Sequence, residues 1–172
     1  MTVDHCINVM RLLDTALTKE PVTVAGRREM LLAALGHDLY EDSAIPSADV
    51  AAEYGSEVDW LIAAVTERAG VVEFVERVAS GPEEVRLIKL ADGIDNYGSL
   101  VEDGLLRYDP AMWVETVRRQ MEPMFSRIEG IPFVKYPVAG KWLGEALTAR
   151  REAFWETVRK QLLEAAAVLE RG

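Results

Sequence analysis

One cysteine, Cys6, in 172 residues leaves no internal disulfide to form and fits a reducing compartment. Histidine is almost as scarce, with only His5 and His37. Basic residues are in deficit: 19 Lys and Arg stand against 29 Asp and Glu, a formal net charge of −10. Such a surface repels phosphate polymers, which argues against a nucleic-acid polymer as partner. A small phosphate substrate stays open, because a metal or a local basic group reverses the sign inside a pocket. No apolar run approaches the roughly 20 residues of a membrane span, so no membrane partner is expected. Met1 to Met10 carries acidic Asp4 and no basic start, unlike a signal peptide. A cytoplasmic protein is the expectation, and a homo-oligomer is compatible with it. Alternating strand patterns, repeats and low-complexity tracts are missing as well.

What is present is helical periodicity. Apolar residues make up 49% and charged residues 28%, and the length suits one domain with one core. Ile7, Met10, Leu13 and Leu17 recur at three- and four-residue steps from Val3 to Leu17. After the Pro21 to Gly26 break, a second helix is predicted from about Arg27 to Glu41. A loop to Pro46 precedes helices from Ser47 to Tyr54 and from Ser56 to about Arg68. A short helix from Val71 to Ala79 and a strongly apolar one from Pro82 to about Val101 follow. Asp109-Pro110 opens a helix that Pro123 should kink or end. Residues 131–138 read as an extended linker before a last amphipathic helix from about Gly140 to Leu169. The expected fold class is all-α. Trp113, Trp142 and Trp155 read as core or interface anchors rather than substrate platforms.

Two clusters carry chemistry. His37-Asp38 is followed by Glu41 and Asp42; on one helix His37 and Glu41 share a face, as do Asp38 and Asp42. Acids at a helix C-terminus oppose the helix dipole, and a bound cation would compensate. In Leu87-Ile88-Lys89-Leu90-Ala91-Asp92-Gly93-Ile94-Asp95-Asn96, Asp92 follows a run that should be core, and Asp92, Asp95, Asn96 and Ser99 share a stripe. A buried carboxylate needs a cation, an arginine or a hydrogen-bond cage. Taken singly, each feature has a plainer account. A histidine near a chain start is usually solvated, an HD dipeptide occurs by chance, and an acidic helix end is a solvated face. Asp92 can pair with Arg86 or Lys89, and Lys89 itself reads as solvated rather than as a phosphate partner. The set outweighs these accounts: two His and two Asp from separate helices make a mixed N/O site for a divalent transition metal.

Three segments carry a family resemblance: HCINVMRLL from His5, LLAALGHDLYEDSAIPSADVAAEYGSEVDWLIAAVT from Leu31, and VRLIKLADGIDNYGSL from Val85. Their order resembles the HD-domain metal-dependent phosphohydrolases, and more narrowly the RelA/SpoT-type hydrolase domain and the stand-alone small alarmone hydrolases. The resemblance implies a single helical HD-domain bundle over residues 1–172, with its recognisable core at about 3–104 and a C-terminal helical extension at about 105–172. It implies metal ligation by His5, His37, Asp38 and Asp92, with manganese the usual divalent metal. Glu41 and Asp42 match the acidic pair that handles water and protons. Asn96 and Ser99 match substrate-contacting positions, with Ser replacing the usual Thr. The activity implied is hydrolysis of guanosine 3′-diphosphate alarmones of the ppGpp type, releasing pyrophosphate; the partner is a small phosphorylated nucleotide.

The departures from that pattern point elsewhere. Gly93 stands where the family usually has Arg, and Asp95 where it usually has His; both changes make the pocket more acidic. The family's basic helix ahead of the first His has no counterpart in the four residues before His5, so either the start is truncated or another element covers the site. Any compensating positive charge would come first from Arg107, Lys135 or Lys141. Two rival readings therefore stand beside the first: an HD-type hydrolase of another nucleotide or phosphomonoester, and a non-catalytic helical module that binds metal or nucleotide.

Overall fold

The first helix, α1 (Val3–Leu17), buries the stripe its sequence announces: Val9, Leu13, Ala16 and Leu17. The structure is a computed structural model and describes residues 3–68, 70–102 and 109–169. Thr23 caps α2 (Val24–Leu35), its side chain accepting from the Gly26 amide. The expected continuous helix to Glu41 is not what forms. α2 stops at Leu35, Gly36 closes it by donating to the Leu32 carbonyl, residues 36–38 turn, and α3 (Leu39–Asp42) restarts the helix. A Cβ on Gly36 would lie 3.0 Å from Ile62 Cδ1, so a neighbouring helix presses on the chain at that point. His37 and Asp38 therefore sit in a turn, and Glu41 and Asp42 lie in the first turn of a short helix. The helix-dipole argument for a cation does not hold for this geometry; what remains is the meeting of the side chains themselves.

α4 (Ser47–Tyr54) and α5 (Ser56–Val65) are joined by Gly55 alone, at φ +102°, a left-handed conformation that glycine adopts without strain. α5 ends at Thr66, short of the expected Arg68. α6 (Val71–Ser80) leads into α7 (Glu83–Glu102), which buries residues on nearly every face and packs against α1 and α5. α8 (Pro110–Thr116), a π-helical turn (Val117–Met121) and α9 (Glu122–Glu129) follow without a gap. Pro123 does not end this stretch. It occupies the first turn of α9, where its missing amide costs little, and the wide π turn comes just before it.

α10 (Pro137–Leu169) packs along α7, with Phe154 edge-on to Tyr97 at 5.5 Å between ring centroids. Its amides at Val138 and Ala139 donate to Glu20 at 2.6 and 2.9 Å, an anion at the positive end of the helix. Leu143, Leu147 and Phe154 join the same buried cluster as Val9 and Leu87, so the C-terminal helices share the core of α1–α7. The boundary expected near residue 104 lies outside the described residues. The fold is all-α, with no strand among the described residues. No helix among them is long and apolar enough to cross a membrane.

Candidate metal centre

Three parts of the chain converge on one point. α1 brings His5, the turn after α2 brings His37 and Asp38, and α7 brings Asp92. The two imidazole Nε2 atoms are 3.1 Å apart. Asp92 Oδ1 lies 3.2 Å from His5 Nε2 and 3.5 Å from His37 Nε2. One ligand atom each of His5, His37 and Asp92 falls within a 4.8 Å set. Asp38 Oδ2 reaches His37 Nε2 at 3.0 Å and His5 Nε2 at 3.7 Å, at the edge of that set.

The tautomers are fixed from behind. His37 Nδ1 donates to the Ala34 carbonyl at 2.8 Å, and His5 Nδ1 to Asp95 Oδ2 at 2.7 Å. Each ring thus spends its Nδ1 proton away from the cluster and turns Nε2 inward, as a metal-ligating histidine does. Burial alone would lower the pKa of His5, but hydrogen bonds to Asp92 and Asp95 outweigh it and raise it to about 9. His37 is raised to about 10, with Asp38 and Asp92 overcoming its burial. Two protonated Nε2 atoms facing each other at 3.1 Å would repel, so a cation held between them and the carboxylates suits this donor set better than two protons.

Asp92 is buried and caged. Burial pushes its carboxyl up, yet the Lys89 ammonium and the hydrogen bonds from both histidines hold it well below the ordinary range. Lys89 Nζ donates to Asp92 Oδ2, and Asn96 Nδ2 donates to Oδ1 at 2.7 Å. Lys89 is not the solvated lysine expected from the sequence; its side chain is only 12% exposed, and Asp92 raises its pKa against burial. Arg86 is not the partner of Asp92. Its guanidinium turns to the carbonyls of Ile131 and Pro132 and to the Phe133 ring.

A cavity of about 550 Å³ opens beside these groups. Glu41, Asn96 and Ser99 line it, together with His5, Asp38 and Asp92. Partial desolvation at the cavity edge raises the pKa of Glu41, partly offset by the Glu67 amide that donates to it at 2.8 Å. Asp42 is exposed at the end of α3, outside that lining. The far wall was not anticipated. Trp113, Met121, Met124 and Phe125 come from α8, the π turn and α9, so Trp113 faces the cavity rather than serving only as a core anchor. Nothing local in the sequence signals this, because these residues reach the cavity through tertiary packing alone. Trp142 and Trp155 do pack on the core. Lys135 pairs with Glu84 and Lys141 approaches Glu145, so neither supplies positive charge to the cavity; Arg107 lies outside the described residues.

The departures at 93 and 95 also find their places. A Cβ on Gly93 would lie 2.2 Å from Phe125 Cζ, so the phenyl ring fills the room a side chain at 93 would need. Asp95 does not line the 550 Å³ cavity; it lines a neighbouring cleft and bonds the outer nitrogen of His5.

No protein-family model matches the chain. Guanosine-3′,5′-bis(diphosphate) 3′-pyrophosphohydrolase MESH1 of Drosophila melanogaster is 31% identical over 126 residues, 69% of this chain. The chain is homologous to that protein. The resemblance read from the three sequence segments is thereby borne out, and the match spans 63% of the relative's own length. The crystal structure of lmo0812 from Listeria monocytogenes EGD-e superposes with a TM-score of 0.62 at 23% identity, covering 85% of this chain and 97% of that one. That likeness is one of fold.

Proposed function

We propose that this chain is a divalent-metal-dependent phosphohydrolase that hydrolyses guanosine 3′-diphosphate alarmones and releases pyrophosphate. The observation that carries the reading is the convergence of His5, His37 and Asp92 beside a nucleotide-sized cavity that His5 and Asp92 line, in a chain homologous to a hydrolase named for this reaction. His5, His37, Asp38 and Asp92 would hold the ion, with manganese the metal of choice. When bound, a divalent ion supplies Lewis-acid activation of water and of a phosphoryl oxygen. The chain's own residues do the rest. Glu41, its pKa raised by partial desolvation, takes the proton of the attacking water and passes it toward the leaving oxygen, with Asp42 as the second acid of the pair. Asn96 and Ser99 donate hydrogen bonds to sugar or phosphate from the α7 side. Trp113 and Phe125 give the nucleobase an apolar wall opposite. The unit at work is the whole of residues 1–172, in the cytoplasm.

One observation favours a second reading. Among the described lining residues Lys89 is the sole lysine or arginine, already paired to Asp92, beside Asp38, Glu41, Glu67 and Asp92. Such a lining suits a nucleotide or phosphomonoester with fewer phosphates. The test is the Mn²⁺-loaded protein assayed for pyrophosphate from guanosine tetraphosphate and for phosphate from nucleoside monophosphates. Pyrophosphate release supports the alarmone reading. Phosphate release from the monophosphates alone moves the assignment to the second reading. Metal binding without any turnover leaves a binding module.

A further inference from the structure

We propose that Asp95 is a positioning residue that aims His5 at the metal, a role that rests on the metal reading above. His5 sits near the start of α1 with its side chain 10% exposed, and its Nδ1 edge faces α7. Asp95 fixes that edge. Its Oδ2 accepts from His5 Nδ1 at 2.7 Å, from the next turn of the helix that supplies Asp92. One rigid helix thus carries a carboxylate on each side of the same imidazole: Asp92 Oδ1 at 3.2 Å from Nε2 and Asp95 at Nδ1. The bond settles which nitrogen bears the proton and makes the other a stronger donor. His37 obtains the same service from the Ala34 carbonyl, so the two ligands are locked by different means, one by a backbone acceptor and one by a charge. The position of Asp95 outside the cavity lining separates this role from direct substrate contact.

The test compares wild type, Asp95→Asn and Asp95→Ala by Mn²⁺ titration and by NMR detection of the exchange-protected His5 Nδ1–H proton in the metal-free proteins. Asp95→Ala should weaken Mn²⁺ about 10- to 100-fold, the usual cost of losing such a partner. The His5 Nδ1–H signal should vanish in that variant while the His37 signal persists. Asp95→Asn keeps an acceptor without the charge and should fall between the two; it also decides the matter if the alanine variant does not fold. Affinity within about twofold of wild type, with the His5 signal in place, overturns the proposal. So does a change in substrate preference at unchanged Mn²⁺ affinity, which would make Asp95 a specificity charge. A wild type that binds no Mn²⁺ removes the metal reading and this proposal with it, whereas a wild type that binds and variants that match it remove the proposal alone.

Discussion

Phe125 decides what position 93 can be. With its Cζ 2.2 Å from where a Cβ would stand and Cε1 at 2.8 Å, the ring leaves no room for even a methyl group. Gly93→Ala should cost about 1–3 kcal/mol in urea denaturation, the usual range for overpacking a core. Adding Phe125→Leu should return most of that loss, although Phe125→Leu is destabilising in wild type; strictly additive effects would show that the two positions are uncoupled. The missing family arginine is thus legible in the sequence, but its cause is not, since the contact joins residues 32 positions apart with no local signature. The His and Asp residues of the site were legible for the opposite reason: scarce histidines, and a carboxylate set in an apolar run. Lys89 was misread because a lysine three residues before an aspartate looks the same whether solvated or buried. Of Glu41 and Asp42, Glu41 is the one on the cavity wall. Glu41→Gln should lower turnover roughly 100-fold while leaving bound Mn²⁺ unchanged, and near-wild-type kcat at saturating Mn²⁺ would exclude it as the proton carrier.

Between α9 and α10 the chain has little regular structure, and single carboxylates hold it in place. Glu83, in the first turn of α7, accepts from the amides of Val134, Lys135 and Tyr136 at 2.6, 3.0 and 2.9 Å. Burial raises the Glu83 carboxyl, but those three amides outweigh it and hold the pKa below its ordinary 4.5. A lowered folded-state value means stability that is fully present above the unfolded pKa and lost as pH falls through the folded one. Glu83→Gln should therefore cost about 1–3 kcal/mol at neutral pH, and the gap to wild type should close only below about pH 4.5. A gap that stays constant into strong acid would show that shape, not charge, does the capping. The irregular stretch before α10 was legible from Pro132 and Pro137, although Pro137 and Val138 already belong to the helix, and the Asp109-Pro110 start of α8 was legible from its cap. The break at Gly36 was not. Apolar periodicity runs straight through it, and only the approach of Ile62 shows why glycine is there.

Across the whole molecule, α1, the α2–α3 turn and α7 are bound to one another at the candidate metal centre, while α10 packs along both α7 and α1. An ion that binds only this assembled state must stabilise it by mass action. At a free Mn²⁺ concentration 100 times its Kd the gain is about 2.7 kcal/mol, or roughly 5–10 °C in Tm for a chain of this length. Chelator should reverse the shift, and His37→Ala should abolish it; a wild type whose Tm ignores Mn²⁺ argues against a preformed site. The all-α class was legible from periodicity over the whole length. The seating of the C-terminal helices was not, because their partners lie far away along the chain. That same remoteness sets an order of events as the chain acquires its shape. His5 and its partner Asp95 are 90 positions apart, and the ligand Asp92 lies one turn before Asp95, so the site cannot be complete until nearly the whole of α1–α7 has been traversed and its ends have met. Closing so long a loop comes late, after the local helices have formed. Capture of Mn²⁺ during refolding would thus act as a clock for the docking of α1, registering after far-ultraviolet helical signal has recovered.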